Sequence, residues 1–460
     1  MGGREALDRL PRRQLEGWGR VAASPALVAT VERAEQVADL LEAVGAAGGT
    51  AIARGAGRSY GDAAQNCGGY VLDLTRLSHC GPFNRRPDGS WTVTVGAGTT
   101  LKELLRRSLS KGLFPPVTPG TKLITVGGAI AADIHGKNHP ADGSFGRWVQ
   151  ELLLCLPSGE LVRASREQNG ELFAATLGGM GLTGVIVEAT LRLLPLPGPA
   201  LVGEVVRTAN LEETARALEC PQRYAVAWLD LLSPLPAAKV GRGVVVRSDF
   251  AAEGAFETFH VGPGERPRLA VPRRCPRVLN RGAVTLFNLA RWQLTPPLAR
   301  REIPFNAHFF PLDGLRNWNR LYGRKGFLQY QFVLPAAAFD QLERVVWSLK
   351  RRRLPIYFAV LKRFGGEGEG LLSFPAPGFT LAIDIPYCDG VREGLREADR
   401  LVAEAGGRVY LAKDVRLERD AFFAMYPQAR RFLELRGRLD PNGLLQSDLA
   451  RRVGLTEASR

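Results

Sequence analysis

Residues 53–66, ARGAGRSYGDAAQN, crowd Gly55, Gly57 and Gly61 among Arg54, Arg58, Ser59 and Tyr60. A short apolar run, Thr50 to Ala53, leads into them and is predicted as a strand. Without a Cβ, these glycines let backbone N–H groups turn inward and approach a ligand, and a nest of such amides binds anions. The two arginines add charge-assisted contacts of the kind phosphate accepts. On its own the stretch also reads as a glycine-rich surface turn. Its spacing is not G-x-G-x-x-G, and the apolar run that follows looks like a strand rather than a helix. The dinucleotide fingerprint of the Rossmann type is therefore absent.

Around the loop, strands and helices alternate, as in an α/β or α+β unit. Residues 30–45 place Val37, Leu40, Leu41 and Val44 at helical spacing, with Thr30 as N-cap and Gly45 at the end. YVLDL (70–74) and the alternating WTVTV (91–95) are predicted strands. Thr100 and Glu103 have capping-box spacing ahead of a helix with Leu101, Leu104, Leu105 and Leu109 on one face. A second glycine-rich stretch, PVTPGTKLITVGGAIAADIHGKNHPADGSFG (116–146), suits the wall of a polar, extended ligand. Its embedded ITVGGAIAADIH is too apolar for a disordered linker. A third, LGGMGLTG (177–184), feeds a strand in which Val185, Val187, Ala189, Leu191 and Leu193 alternate with polar residues. Three glycine-rich turns in one domain fit a long cofactor held along its length.

Pro195, Pro197 and Pro199 mark a domain boundary. Beyond it, 327–334, 339–349, 355–362, 379–386, 391–405 and 408–412 read as β-α-β-β-α-β, an antiparallel sheet with helices on one face. Gln329 and Gln331 share a strand face opposite Leu328, Tyr330 and Phe332. They read either as the lining of a site or as the polar face of an edge strand. Residues 266–301 hold nine arginines and no acidic residue, with Val278, Leu279, Val284, Leu286, Phe287, Leu289 and Trp292 interspersed. Such a segment suits an anionic membrane surface or an anionic lipid, or else forms a solvated loop.

The 460 residues are long enough for two or three domains, and 45% hydrophobic with 23% charged residues is ordinary for a globular protein. A net charge of +15 predicts anionic partners. No recognised module accompanies it, so nucleic acid is not expected as a partner. The six cysteines contain no C-x-x-C and the five histidines give one close pair, which argues against a metal centre or a disulfide framework. Neither a signal peptide nor a run of ~18 apolar residues is found, so the expected location is the cytoplasm, either free or peripheral at the membrane surface.

ARGAGRSYGDAAQN, VTPGTKLITVGGAIAADIHGKNH, GSFG, GFLQYQF, LSFPAPGFTLAIDIP and YLAKD together resemble the decaprenylphosphoryl-β-D-ribose 2′-oxidases. These are FAD-linked oxidases of the vanillyl-alcohol-oxidase type, and the resemblance runs from Trp18 to DPNGLLQSDLARR (440–452). It implies an α+β, two-domain fold: an FAD-binding domain at 1–195, a substrate domain with an antiparallel sheet at 196–412, and a return to the first domain at 413–460. The resemblance puts Gly55, Ala56, Gly57, Arg58 and Ser59 around the pyrophosphate, flanked by Ala53, Arg54 and Tyr60. Thr118, Pro119, Gly120, Thr121, Val126, Gly127, Gly128, Ala132, Asn138 and Ile186 are expected along the rest of the FAD. Many relatives tether the flavin through a histidine where Arg58 stands, so non-covalent FAD is expected.

By the same resemblance Lys413, read as the end of a strand in YLAKD, would contact the flavin and polarise the substrate hydroxyl, Tyr60 would position the sugar or relay a proton, and His135 would stand beside the flavin. Lys137 would face the substrate phosphate. Gln329, Gln331, Lys362 and Asp384 would form the sugar pocket, with Trp228 as a stacking wall or a core residue. The implied reaction oxidises the 2′-hydroxyl of a polyprenylphosphoryl ribose, the first half of an epimerisation to arabinose for cell-wall polysaccharide. A quinone or other acceptor and a keto-reductase are the implied partners. A soluble-sugar lactone or alditol oxidase using oxygen, and a basic membrane- or nucleic-acid-binding protein, are the alternatives.

Overall fold

The computed structural model describes residues 7–196, 198, 200–234, 240–251 and 269–456. Pro197 and Pro199 of the expected boundary, and 266–268 of the arginine-rich segment, lie outside the described residues.

The strand ahead of the glycine loop, Ala51–Arg54, pairs in parallel with Tyr70–Asp73, which in turn pairs in parallel with Ala23–Thr30; Arg12–Glu16 closes this four-stranded sheet. Helix Glu35–Ala46 buries Val37, Leu41 and Val44. The helix starts later than expected, at Glu35, and Thr30 instead ends a strand. The side chain of Gln36 accepts from the amides of Glu32 and Arg33, at 2.8 and 3.0 Å, and so satisfies the donors ahead of the first turn.

A second, antiparallel sheet is built on the long strand Val185–Pro195, which lies between Trp91–Gly96 and Val149–Cys155. Its alternate residues Val185, Val187, Ala189, Leu191 and Leu193 are buried as the period-two pattern predicts. Thr100 caps helix Leu101–Leu109, its hydroxyl accepting from the Glu103 amide at 3.2 Å. Only half of the capping box forms, because the Glu103 carboxylate turns to Arg106 and Arg107 on the same helix face.

The third sheet has eight strands, in the order Leu298–Ile303, Leu201–Thr208, Gly243–Phe250, Tyr224–Leu229, Phe358–Phe364, Gly378–Pro386, Phe327–Pro335 and Arg408–Val409. Helices Phe339–Arg351 and Val391–Glu404 complete the β-α-β-β-α-β order. Leu328, Tyr330 and Phe332 turn towards the helices, with Tyr330 Oη 3.0 Å from Asp399 of Val391–Glu404. The last strand is shorter than expected: after Val409 the chain enters a 3-10 turn, Leu411–Lys413. The chain leaves the sheet because Ala412 O accepts the Tyr60 amide and the Tyr410 hydroxyl donates to Ala132 O. Lys413 therefore ends a turn, not a strand.

The C-terminal segment runs back to the first sheet, where Ala51 N donates to Leu444 O and Gln446 N to Ala51 O. Within 266–301, helix Arg281–Leu294 forms, capped by Asn280. It buries Val284 and Asn288 and leaves Leu286, Phe287 and Leu294 exposed. Among the described residues no helix is long and apolar enough to cross a membrane, and no group of acidic, histidine or cysteine side chains could hold a metal ion.

Candidate active site

One elongated cavity runs from the glycine loop to the uncovered face of the eight-stranded sheet, lined by all three glycine-rich stretches. At its first end Ala53, Gly55, Ala56, Gly57, Arg58, Ser59 and Tyr60 form a wall. Among the described residues, the amides of Gly55 to Ser59 donate to no protein acceptor, whereas Tyr60 N is taken by Ala412 O. Five free N–H groups on a wall with an arginine are the donor set a pyrophosphate requires. Gly55 packs so close to Thr125 that a Cβ would meet its hydroxyl at 2.1 Å, and Gly57 has φ +63°. Side chains at these two positions would deform the wall. These residues fit the FAD expectation.

Pro119, Gly120, Thr121, Gly127, Gly128, Ala132, His135 and Ile186 continue the lining. Four cofactor candidates do not line it. Arg54 turns back to bond Ala64 O and Glu16 O, and Val126 is core. Thr118 is buried beneath Gly136, and Asn138 is spent on Pro116 O and Asp142.

Where the glycine loop meets the sheet, Tyr60 and Lys413 come together, with the Lys413 ammonium 3.8 Å from the Tyr60 ring centroid. Burial pulls the Lys413 ammonium down to about 7, against the opposing pull of Asp384 and with a further push from Lys362. Burial likewise lowers Lys362 to about 8 and, helped by Lys362, Lys137 to about 7. The Tyr60 phenol is raised by burial and by Asp384. His135 sits in a box of Phe364, Phe374 and Tyr410, and its Nε2 lies 3.0 Å from Gln331 Nε2. Burial and Lys362 hold its pKa well below the usual imidazole range, so it is neutral.

Gln329, Gln331 and Lys362 line the cavity as expected from their shared face. Three substrate candidates stand apart from it. Asp384 lies opposite Gln329 in register but behind it, accepting from Gln329 Nε2 at 2.6 Å and Tyr322 Oη at 2.9 Å. Burial lifts its carboxyl to about 6. Lys137 is set back near Phe309. Trp228 pairs with the lining residue Val360 one strand further out, where Phe287 and Arg291 of helix Arg281–Leu294 cover its ring.

Sequence reasoning missed one whole wall. Trp18 carries the Arg58 guanidinium 4.0 Å above its ring, and Trp318 meets Trp18 edge-on. Asp313, Arg316 and Asn317 line the same side. Asp313 ties this wall to the second glycine stretch through Thr121 Oγ1 at 2.6 Å and Lys122 N at 2.9 Å.

Comparison with known proteins matches an FAD binding domain model over residues 25–165 and a D-arabinono-1,4-lactone oxidase model over residues 344–453. The decaprenylphosphoryl-beta-D-ribose oxidase of Mycolicibacterium smegmatis is 36% identical over 457 residues, 96% of this chain and 98% of that protein. An uncharacterized Streptomyces coelicolor protein (mprA 5′ region) is 36% identical over 77% of this chain and all of its own length. Cytokinin dehydrogenase 3 of Oryza sativa subsp. japonica is 35% identical over only 32% of the chain and 28% of its own. The amide wall, the FAD model and this full-length similarity make the chain an FAD-dependent oxidoreductase with the two-domain α+β fold of the FAD-linked oxidases. It belongs to the decaprenylphosphoryl-β-D-ribose oxidase family.

Proposed function

We propose that this enzyme oxidises the 2′-hydroxyl of a polyprenylphosphoryl-β-D-ribose to the 2′-ketone, with FAD held non-covalently. The observation that carries the reading is the charge at the sheet end of the cavity. Lys362 and Lys413 line it, Lys137 stands behind, and burial depresses all three. Asp384 is the carboxylate that offsets Lys413, and it is already committed to Tyr322 and Gln329. Half-buried ammonium groups in excess of uncommitted carboxylates call for an anionic occupant. A phosphodiester next to the reacting pentose supplies that anion, and a neutral lactone or alditol does not. The Mycolicibacterium relative is named for such a substrate, whereas the lactone-oxidase model matches only residues 344–453.

Bound FAD supplies the hydride acceptor. Lys413, as the ammonium, stabilises negative charge developing on the substrate oxygen. Tyr60, whose ring carries that ammonium, orients the sugar. Neutral His135 shapes the wall without adding charge, and Gln329 and Gln331 offer amides to the pentose hydroxyls. Arg58 lies on Trp18, no cysteine lines the cavity among the described residues, and the lining imidazole His135 is bonded to Gln331. These three facts support the non-covalent reading.

Domain boundaries at 195/196 and 412/413 are part of this proposal, supported by the ends of the strands Val185–Pro195 and Arg408–Val409. The product is a ketone that a keto-reductase reduces to complete the epimerisation to arabinose for cell-wall polysaccharide, and a quinone reoxidises the flavin. The exposed Leu286, Phe287 and Leu294 of the arginine-rich segment support peripheral contact with an anionic membrane surface.

The test is anaerobic bleaching of the flavin by a short-chain polyprenylphosphoryl-β-D-ribose, by ribose 5-phosphate and by free pentoses and lactones. Bleaching by the lipid-linked phosphodiester alone is expected. Bleaching by free sugar lactone with no response to the phosphodiester would overturn the assignment.

A further inference from the structure

Tyr60 and Lys413 come from opposite ends of the chain, one from the glycine loop and one from the turn Leu411–Lys413. Their backbones touch: Tyr60 N donates to Ala412 O at 2.9 Å, and a Cβ on Gly61 would lie 1.8 Å from Asp414 O. Asp62 and Asp414, each within two residues of a member of the pair, are both buried. One side chain grips both. Arg452, on the C-terminal helix Asp448–Val453, forks onto Asp62 with Nε to Oδ2 at 3.0 Å and Nη2 to Oδ1 at 2.8 Å. Its Nη1 donates to Asp414 Oδ2 at 2.8 Å and to Leu417 O at 2.7 Å. Asp414 in turn accepts the Leu417 amide at 2.9 Å, which closes the turn after Lys413.

The geometry points to Arg452 as a positioning residue for the reaction, setting the spacing of Tyr60 and Lys413 through Asp62 and Asp414. The inference rests on the reading of Tyr60 and Lys413 as the catalytic pair. The planar guanidinium is what makes the grip possible, because it serves a bidentate carboxylate and two further oxygens at once. A lysine offers a point charge and satisfies at most part of this set. The helix that carries Arg452 is itself anchored beside the cofactor loop, with Asp448 accepting the Cys67 amide at 2.9 Å and donating its own amide to Gln65 O at 2.8 Å. The C-terminal helix thereby belongs to the catalytic apparatus although it does not reach the cavity.

The experiment measures single-turnover flavin reduction in FAD-loaded Arg452→Lys with a short-chain polyprenylphosphoryl-β-D-ribose. FAD content and substrate affinity are expected to stay near wild type. The reduction rate should fall by about tenfold or more, since displacement of a reacting group by ~1 Å costs up to a hundredfold. The basic limb of the rate–pH profile should also move to higher pH. Lys413, faced by Tyr60, Asp384, Lys362 and His135, gains water when the clamp loosens. Asp62→Asn, which keeps the Arg452–Asp414 contact but breaks the fork, should show the same pattern more weakly and serves if Arg452→Lys does not fold. Leu41→Ala, on the buried face of helix Glu35–Ala46 and outside the cavity lining, should lower the melting temperature and leave rate and pH profile unchanged.

Normal rate and pH profile in both clamp variants would overturn the inference. So would a slowing that Leu41→Ala reproduces. Lys413→Ala separates the two levels: bleaching that survives in it removes the catalytic pair itself. Bleaching that is lost there but normal in Arg452→Lys and Asp62→Asn removes only the role of Arg452.

Discussion

Lys362 sits in the cavity with burial as the sole cause of its lowered pKa, which makes Lys362→Met an informative perturbation. Moving an ammonium from its ordinary 10.5 to about 8 corresponds to ~3 kcal/mol against the charged form. Lys362 is only part-buried, and cavity water screens it, so the cost to the folded protein is nearer ~1–2 kcal/mol. The sign follows from proton counting. Between pH 8 and 10.5 the unfolded chain holds a proton at this site that the folded chain has released, so stability rises with pH through that window. Below it the cost is fully present. Lys362→Met should therefore stabilise the substrate-free protein at pH 7 by ~1–2 kcal/mol, with the gain fading above pH ~10. The same change removes a charge-assisted contact of ~1.5–3 kcal/mol to a bound phosphodiester, weakening binding about tenfold to a hundredfold. Denaturant unfolding at pH 7 and 10 measures the first effect, and calorimetric titration with the phosphodiester and its dephosphorylated counterpart measures the second. A variant that is less stable, or one that binds both ligands as wild type does, would refute the assignment of Lys362 to an anion.

Three further outcomes follow from the same geometry. Acid denaturation should release all the flavin into the supernatant, and colour retained on the polypeptide would contradict the non-covalent reading. In the free enzyme, efficiency towards the phosphodiester should fall as pH rises through about 7 to 8, because Lys413 and then Lys362 lose their charge. A stopped-flow pH series checks it, and a flat profile from 6 to 9 would count against both ammonium groups. Vesicles containing anionic lipid should co-sediment with the protein, neutral vesicles should not, and Leu286→Ser/Leu294→Ser should abolish the association while flavin content stays unchanged.

Much of this site was legible because its parts obey local rules. Glycine-rich turns announce close backbone approach wherever they occur, so the cofactor walls were visible at 53–66, 116–146 and 177–184. A strand's period of two put Gln329 and Gln331 on one face. Period fixes a face but not a depth. Asp384 shares the face of Gln329 and was expected in the pocket, yet Tyr322 arrives from another segment and covers it. Trp228 shares a row with Val360 and was removed from the cavity by Phe287 and Arg291, on a helix that pattern reading left as either lipid-binding segment or loop.

The wall of Trp18, Asp313 and Trp318 had no signal at all. Its residues are scattered in sequence, carry no repeat and meet only through tertiary contacts such as the Trp18–Trp318 edge. The same applies to Arg452. An arginine in a short C-terminal helix looks like surface charge until the fold brings Asp62 and Asp414 to it. Lys413 was legible as a residue and misread as an element, since the pull of Tyr60 N on Ala412 O that lifts it off the sheet is a long-range contact.

The central claim is removal of hydride from C2′ of a lipid-linked ribose, and a positional label tests it most directly. A polyprenylphosphoryl-β-D-ribose carrying deuterium at C2′ is incubated anaerobically with stoichiometric enzyme, and the product is weighed by mass spectrometry. The account predicts a ketone that has lost the C2′ deuterium, formed in step with flavin bleaching, while a C3′-labelled substrate keeps its label. Retention of deuterium at C2′ in an oxidised product, or loss from C3′, would contradict it.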